Sequence, residues 1–394
     1  MIWITLFLLF CAGPLLLWSV LLLLEIVYGG YSLSRIPDGV GVRNSCSYTV
    51  LIPAHNEAAV IRETLDALRK SMGGDGRILV VADNCSDETA SLARECDAEV
   101  LERFSESERG KGYALNFGLR HLSAAPPDVV VLLDADCHFS GGAPEQLAVS
   151  AYASGRPVQC EYALRAHGGE GLGRRIALFA WRVKNTLRPA GLRALGLPCQ
   201  LTGSGMAFPW QVIGSVEVPS SDLVEDMVLG LNLARAGNYP LYDPAVQVTS
   251  DFPDSADAQR SQRERWEHGH LQTILHVLPA MCGVALRRCD WRLLLMCLDL
   301  SIPPLSLMAV TFGVYSVIAL VGALLFLVVA PVYVAIWLCS SFAGAAVLAW
   351  YLSARDLLAG TELLMAPVYA LRKLVIYARF VRRRQVEWIR TARD

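Results

Sequence analysis

From Ile2 to Leu24 the chain carries no charged side chain, and from Leu293 to Leu352 it carries one, Asp299. Crossing the hydrocarbon core of a bilayer takes about 20 apolar residues. These two stretches therefore predict a protein built partly in lipid. The first fits one crossing. A cleaved leader would open on basic residues and have a shorter apolar run. Met1-Ile2-Trp3-Ile4 has no basic side chain, so a retained anchor over 1–28 is expected. The second stretch is too long for one helix and predicts two spans, near 304–328 and 332–352, with Pro331 near the turn. Pro303-Pro304 separates the first of these from a preceding interfacial helix. A further span near 288–302 stays open at this point.

Basic residues set the sides. Arg35 and Arg43 follow the first span, and Arg372, Lys373, Arg379, Arg382, Arg383 and Arg384 follow the last. Cytosolic flanks carry the excess of Lys and Arg, so both regions are expected in the cytosol. One span in and two spans out and back close that parity. The tail from Leu363 to Trp388 mixes apolar and aromatic residues with arginines and predicts an amphipathic helix on the membrane surface.

Between the apolar ends, roughly 45–265, the chain reads as a soluble domain. A net charge of −2 gives no global field for nucleic acid and leaves small anionic ligands and membrane lipids as partners. The eleven cysteines include no C-x-x-C pair, so neither a zinc site nor a disulfide framework is indicated. Reduced cysteines fit a domain facing the cytosol.

Strands and helices alternate in this domain. Thr49–Ile52, Ile78–Val81 and Val129–Leu133 read as strands. Glu57–Lys70, Asp87–Cys96 (with Ser86 as candidate N-cap) and Lys111–Leu122 read as helices. The alternation predicts a largely parallel sheet, whose ligands bind beyond the carboxyl ends of the strands. Polar clusters stand at three such ends: Asn56 and Glu57, Asp83 and Asn84, Asp134 and Asp136.

Asp134-Ala135-Asp136 follows an uninterrupted apolar strand, and two carboxylates so placed can share a hard divalent cation that offsets diphosphate charge. Asp83 can accept from a nucleobase N–H or cap the next helix. Lys111, between Gly110 and Gly112, lacks the pattern of a P-loop ATPase, yet a basic turn at a helix start suits donor phosphates or an ordinary surface. Thr202-Gly203-Ser204-Gly205 allows backbone to approach a sugar closely. Glu225-Asp226 opens a helical run, Met227–Ala236, as a general base or as favourable charge at the N-terminus. Gln262, Arg265 and Trp266 share one helical face, with a guanidinium for pyrophosphate and an indole for stacking. His268 and His270 follow as polar contacts near the acceptor path.

Taken in order, the Pro53–Glu57 run, Asp83, Asp134-x-Asp136, Thr202–Gly205, Glu225-Asp226 and Gln262-x-x-Arg265-Trp266 resemble the inverting glycosyltransferase family 2. The likeness is to its membrane-integral branch, with cellulose, chitin, hyaluronan and poly-N-acetylglucosamine synthases and ceramide glucosyltransferase. The resemblance implies an α/β, Rossmann-like GT-A domain with flanking transmembrane helices, a UDP-sugar donor, and Mg²⁺ or Mn²⁺. It also implies single displacement with inversion. Carried over by position, Ala54, His55, Glu57, Asp83, Lys111, Asp134, Ala135 and Arg265 serve the donor. Gly203, Ser204, Glu225, Gln262 and Trp266 serve acceptor and sugar, Asp226 is the base, and Asp134 and Asp136 hold the metal.

The implied organisation is an anchor at 1–28, a cytosolic catalytic domain at 29–269, interfacial helices at 270–302, two spans within 303–352 and an amphipathic tail at 353–394. The expected setting is the plasma (inner) membrane. Three or so spans are few for a self-contained polysaccharide channel, which leaves room for export or synthase partner subunits. Three activities stay in play: building a growing or lipid-linked glycan, adding one sugar to a ceramide-, diacylglycerol- or hopanoid-like lipid, and a non-catalytic nucleotide- or glycan-binding role.

Overall fold

The computed structural model describes residues 2–35, 46–73, 75–165, 170–220, 224–252 and 256–382. Its strands are β1 (Tyr48–Ala54), β2 (Gly76–Asp83), β3 (Glu99–Arg103), β4 (Val129–Leu132), β5 (His138–Gly141), β6 (Val158–Leu164), β7 (Met206–Pro209) and β8 (Leu241–Ser250). The helices begin with α1 (Ile2–Leu33), α2 (Ile61–Ser71), α3 (Thr89–Glu95), α4 (Lys111–Leu122), α5 (Pro144–Ser154), α6 (Leu172–Arg182) and α7 (Arg188–Ala194). They continue with α8 (Trp210–Ile213), α9 (Glu225–Arg235), α10 (Ala256–His276), α11 (Leu278–Arg288) and α12 (Trp291–Ser301). The last are α13 (Leu305–Phe326), α14 (Ala330–Ser353), α15 (Ala366–Arg372) and α16 (Leu374–Arg382). Two compact units result. One gathers 2–34, 170–195 and 298–382, and the other 46–165 and 196–297.

The second unit is built on one eight-stranded sheet in the order β3-β2-β1-β4-β7-β6-β8-β5. The expected parallel pairing holds for β1 with β2 and β4, and for β2 with β3. The far half is mixed: β7 runs antiparallel to β4 and β6, and β5 antiparallel to β8. Between β6 and β7 the chain leaves the sheet through α6 and α7, and β7 returns to lie between β4 and β6. The run Val129–Leu132 is buried along its whole length, as a central strand covered on both faces requires. Leu51, Leu79, Leu115, Leu132, Phe208 and Leu229 join β1, β2, α4, β4, β7 and α9 in one core.

Local chemistry moves two expected helix starts. The first helix begins at Ile61 rather than Glu57, because Asn56 takes a positive φ of 56° and the Glu57 N–H is spent on Thr89 Oγ1 at 2.8 Å. The second begins at Thr89. Asp87, not Ser86, accepts from its first N–H (Thr89 N to Asp87 Oδ1, 3.0 Å).

In the other unit, three helices are long and apolar enough to cross a membrane: α1, α13 and α14. α12, with eleven residues, falls short of a span over 288–302. In the sheet-containing unit, α10 and α11 together are apolar enough but are bent by 44°. α1 runs past Leu24 to Leu33 because Glu25 is neutralised in place: its Oε2 lies 2.6 Å from Arg188 Nε, and Arg188 Nη2 reaches Asp299 Oδ1 at 2.5 Å. Backbones approach closely there, since a Cβ on Gly191 would stand 2.0 Å from the Glu25 carbonyl oxygen. Arg175 with Glu362 and Arg182 with Asp356 fasten α6 to the chain after α14. The tail does not form the single helix expected over 363–388. Pro367 and Lys373 divide it into a 3₁₀ turn at Gly360–Met365, α15 and α16. Its last part lies outside the described residues.

Candidate active site

The carboxyl ends of β1, β2 and β4 place the predicted polar clusters side by side. Leu133 N–H still bonds Leu51 O at 3.2 Å, after which the chain turns through Asp134-Ala135-Asp136, closed by Cys137 N–H on Asp134 O at 3.1 Å. The small loop 202–205 is pinned against this turn. Asp134 N–H donates to Ser204 Oγ at 3.0 Å and Gly205 N–H to Leu132 O at 3.0 Å. Gln159, buried on β6, takes the Thr202 N–H at 2.8 Å and donates to Ser204 O at 2.9 Å. Gly203 and Gly205 adopt φ of 92° and 66°, which side chains with a Cβ rarely adopt.

Lys111, the first residue of α4, reaches across this turn. Its Nζ lies 2.6 Å from Asp134 Oδ1, 3.5 Å from Glu225 Oε1 and 2.7 Å from the Gly203 carbonyl oxygen. Asp226 sits in the first turn of α9, and its Oδ2 lies 3.2 Å from where a Gly203 Cβ would be. Lys111, Asp134, Gly203, Ser204, Glu225 and Asp226, distant in sequence, thus meet in one place. Burial alone would lower the Lys111 pKa, but Asp134, Glu225 and Asp226 outweigh it and hold the ammonium charged. Burial raises Asp134 above the usual carboxylate range, Lys111 opposes that, and Asp136 adds to it.

The donor set fits a hard divalent cation. Asp134, Asp136 and Cys137 offer one ligand atom each, all within 4.8 Å of one another. Of these the carboxylates suit Mg²⁺ or Mn²⁺. Cys137 is wholly buried, donates its thiol toward Asp136 Oδ1 at 3.7 Å, and is kept protonated by burial and by the two aspartates. It backs Asp136 rather than adding a soft ligand.

Beside this centre, Asp83 ends β2, its carboxylate buried. Arg103, at the end of β3, donates to Asp83 Oδ1 at 2.7 Å and also to Glu108. His55 Nδ1 donates to the Asp83 carbonyl at 2.7 Å, and Thr64 Oγ1 to that of Ala135 at 2.7 Å. His55 is thereby tied to the end of β2 and Ala135 to α2, while the Glu57 N–H meets Thr89 Oγ1. The sequence reasoning missed Arg103, Cys137 and Gln159. For Arg103 no local pattern marks the strand that carries it, and only the pairing of β3 with β2 sets it beside Asp83.

Gln262, Arg265 and Trp266 lie on α10. Among the described residues no hydrogen bond or ion pair joins Gln262 or Arg265 to the acidic cluster. Gln262 Oε1 and Arg265 Nε are buried without a partner, groups that a ligand or water would satisfy. His268 and His270 are buried on the same helix.

The profile of the family described as "Glycosyltransferase like family 2" matches residues 46–269. A probable glycosyltransferase of Bacillus subtilis (YdaM) is 26% identical over 259 residues, covering 58% of this chain and 56% of that protein. A poly-beta-1,6-N-acetyl-D-glucosamine synthase of Staphylococcus aureus is 24% identical over 257 residues, covering 62% of this chain and 59% of that protein. The chain thus matches little more than half the length of these relatives. Among solved structures, a mannosyltransferase of Pyrobaculum calidifontis, in complex with GDP-Man and Mn²⁺, aligns over 93% of this chain and 97% of its own. Its TM-score is 0.55 and its identity 16%, a likeness of fold.

Proposed function

We propose, from the premise that this chain belongs to the glycosyltransferase-like family 2 and carries its GT-A fold, that it transfers a sugar from a UDP-sugar to a hydroxyl of a growing or lipid-linked glycan. One observation carries the reading. Lys111, Asp134, Glu225 and Asp226 converge on the Gly203 turn at the carboxyl ends of the central strands. Asp134 and Asp136 would hold Mg²⁺ or Mn²⁺, which when bound supplies charge to offset the departing diphosphate. Asp83 and Arg103 recognise the base. Lys111 supplies a fixed positive charge to the phosphate side, with Arg265 from α10. Asp226 accepts the proton of the acceptor hydroxyl as its oxygen attacks the anomeric carbon. The C1–O bond to the diphosphate breaks on the opposite face, inverting the centre. Gly203, Ser204, Glu225, Gln262 and Trp266 line the acceptor side.

Residues 1–28 would anchor the chain and 303–352 cross the membrane twice. The catalytic domain and tail would then lie in the cytosol beneath the plasma (inner) membrane. Likeness to a polysaccharide synthase favours a glycan acceptor. The small number of span-length helices, three among the described residues, favours a second reading, one sugar added to a membrane lipid. The acidic residues of the centre all being present argues against a non-catalytic subunit.

Detergent-purified protein with Mn²⁺, offered a panel of UDP-sugars, should release UDP from one and label a lipid-extractable or polymeric product. A ladder of products supports the glycan reading and a single glycolipid the second. No release from any UDP-sugar with either class of acceptor present would refute both.

A further inference from the structure

We infer that Gln159 is a positioning residue for sugar transfer: its side-chain amide holds the 202–205 loop, and through that loop it sets Asp134 relative to Lys111 and Asp226. The inference deepens the proposed function and rests on it for the roles of those three residues.

β6 and β7 pair at only two positions, Val158 with Ala207 and Gln159 with Met206. Before Met206 the chain leaves this ladder, yet Leu201, Ser204 and Gly205 are buried. Buried backbone N–H and C=O groups need partners. One backbone bond remains, Cys160 N–H to Gly205 O at 2.9 Å. The Gln159 side chain supplies the others. Its Oε1 accepts Thr202 N–H at 2.8 Å, and its Nε2 donates to Ser204 O at 2.9 Å, Cys160 O at 3.0 Å and Gly205 O at 3.3 Å. A primary amide suits the task, since it offers an acceptor and two donors from one plane. Gln159 is 1% exposed, between the fully buried Val158 and Cys160. An apolar side chain would pack there as well, but it would leave the backbone of the loop unpaired.

The loop carries this hold to the site. Ser204 Oγ accepts Asp134 N–H at 3.0 Å, and the Gly203 carbonyl accepts from Lys111 Nζ at 2.7 Å. Asp226 Oδ2 lies 3.2 Å from where a Gly203 Cβ would be. Among the described residues Gln159 bonds only to backbone, and to none of Lys111, Asp134 and Asp226. It therefore acts on all three through the loop.

The test is amide hydrogen exchange and UDP release by the full-length chain carrying Gln159→Met, which keeps the bulk and removes the amide. Amides of 133–137 and 202–206 should exchange about tenfold or more faster than in the parent, while those of β1 and β2 keep parent rates. UDP release per folded molecule should fall about tenfold or more. Ser204→Ala breaks the bond to Asp134 and leaves those of Gln159 in place. It should also lower UDP release, and the double variant should lose less than the product of the two separate losses, since both lie on one path. Parent exchange in both segments overturns the proposal. So does equal acceleration in β1 and β2, which would make the amide a general support of the sheet, and so do losses that multiply in the double variant. Should Gln159→Met not fold, Ser204→Ala decides alone: faster exchange at 133–137 supports the path, and parent exchange there overturns it. A parent protein that releases UDP from no UDP-sugar refutes the transfer reading, and the exchange rates still decide whether Gln159 holds the loop.

Discussion

Replacing Arg188 with methionine takes away the cation between two buried carboxylates. The guanidinium meets Glu25 Oε2 at 2.6 Å, Asp299 Oδ1 at 2.5 Å and the Asp299 carbonyl at 2.9 Å. The three side chains are 10%, 3% and 6% exposed. Exposed ion pairs are worth about 0–1 kcal/mol. Removing one partner from a buried pair costs about 3–5 kcal/mol, because the other charge is left without compensation. The burial here places Arg188→Met in the second class. A carboxyl that takes up a proton limits the loss, so about 3 kcal/mol is expected, a factor of roughly 10² in the folding equilibrium. Unfolding of the detergent-purified protein by heat or denaturant measures it. The triple variant Glu25→Gln, Arg188→Met, Asp299→Asn should regain most of the loss, since neutral groups replace a buried ion network at little cost. Parent-like stability of the single variant, or a triple variant as damaged as the single one, would refute the reasoning.

Gly205→Ala would place a Cβ 2.2 Å from Cys160 Sγ at a φ of 66°, and a loss of about 1–3 kcal/mol is expected in a melting experiment; an unshifted melt contradicts it. Arg103→Met strips Asp83 of its 2.7 Å partner and should weaken UDP binding about tenfold or more by calorimetry, whereas an unchanged affinity would detach this pair from the nucleotide. Asp136→Asn should leave UDP binding insensitive to added Mn²⁺, and a retained Mn²⁺ response would move the metal elsewhere.

Much of the centre was legible because its strands are buried on both faces. Val129–Leu133 and Ile78–Val81 read as unbroken apolar runs, and each polar residue just after them falls at a strand end. α4 appeared with its observed limits, Lys111 to Leu122. β3 was not legible. Three of its five residues are charged, two are exposed and only Arg103 is buried, so no apolar alternation marked it and the partner of Asp83 went unseen. The segment 170–195, which groups with the apolar helices, carries Arg174, Arg175, Arg182 and Arg188 and so looked like part of the soluble domain. The carboxylates that neutralise three of them, Glu362, Asp356, Glu25 and Asp299, lie more than a hundred residues away in sequence. No local spacing could reveal those pairs.

The most direct trial of the central claim is the rate of UDP release by Asp226→Asn, taken together with its Mn²⁺-dependent affinity for UDP. With the base removed and the donor site intact, turnover should fall by about 10²–10⁴-fold while UDP affinity holds. Turnover near the parent rate would contradict the assignment of the proton-accepting group and the chemistry built around it.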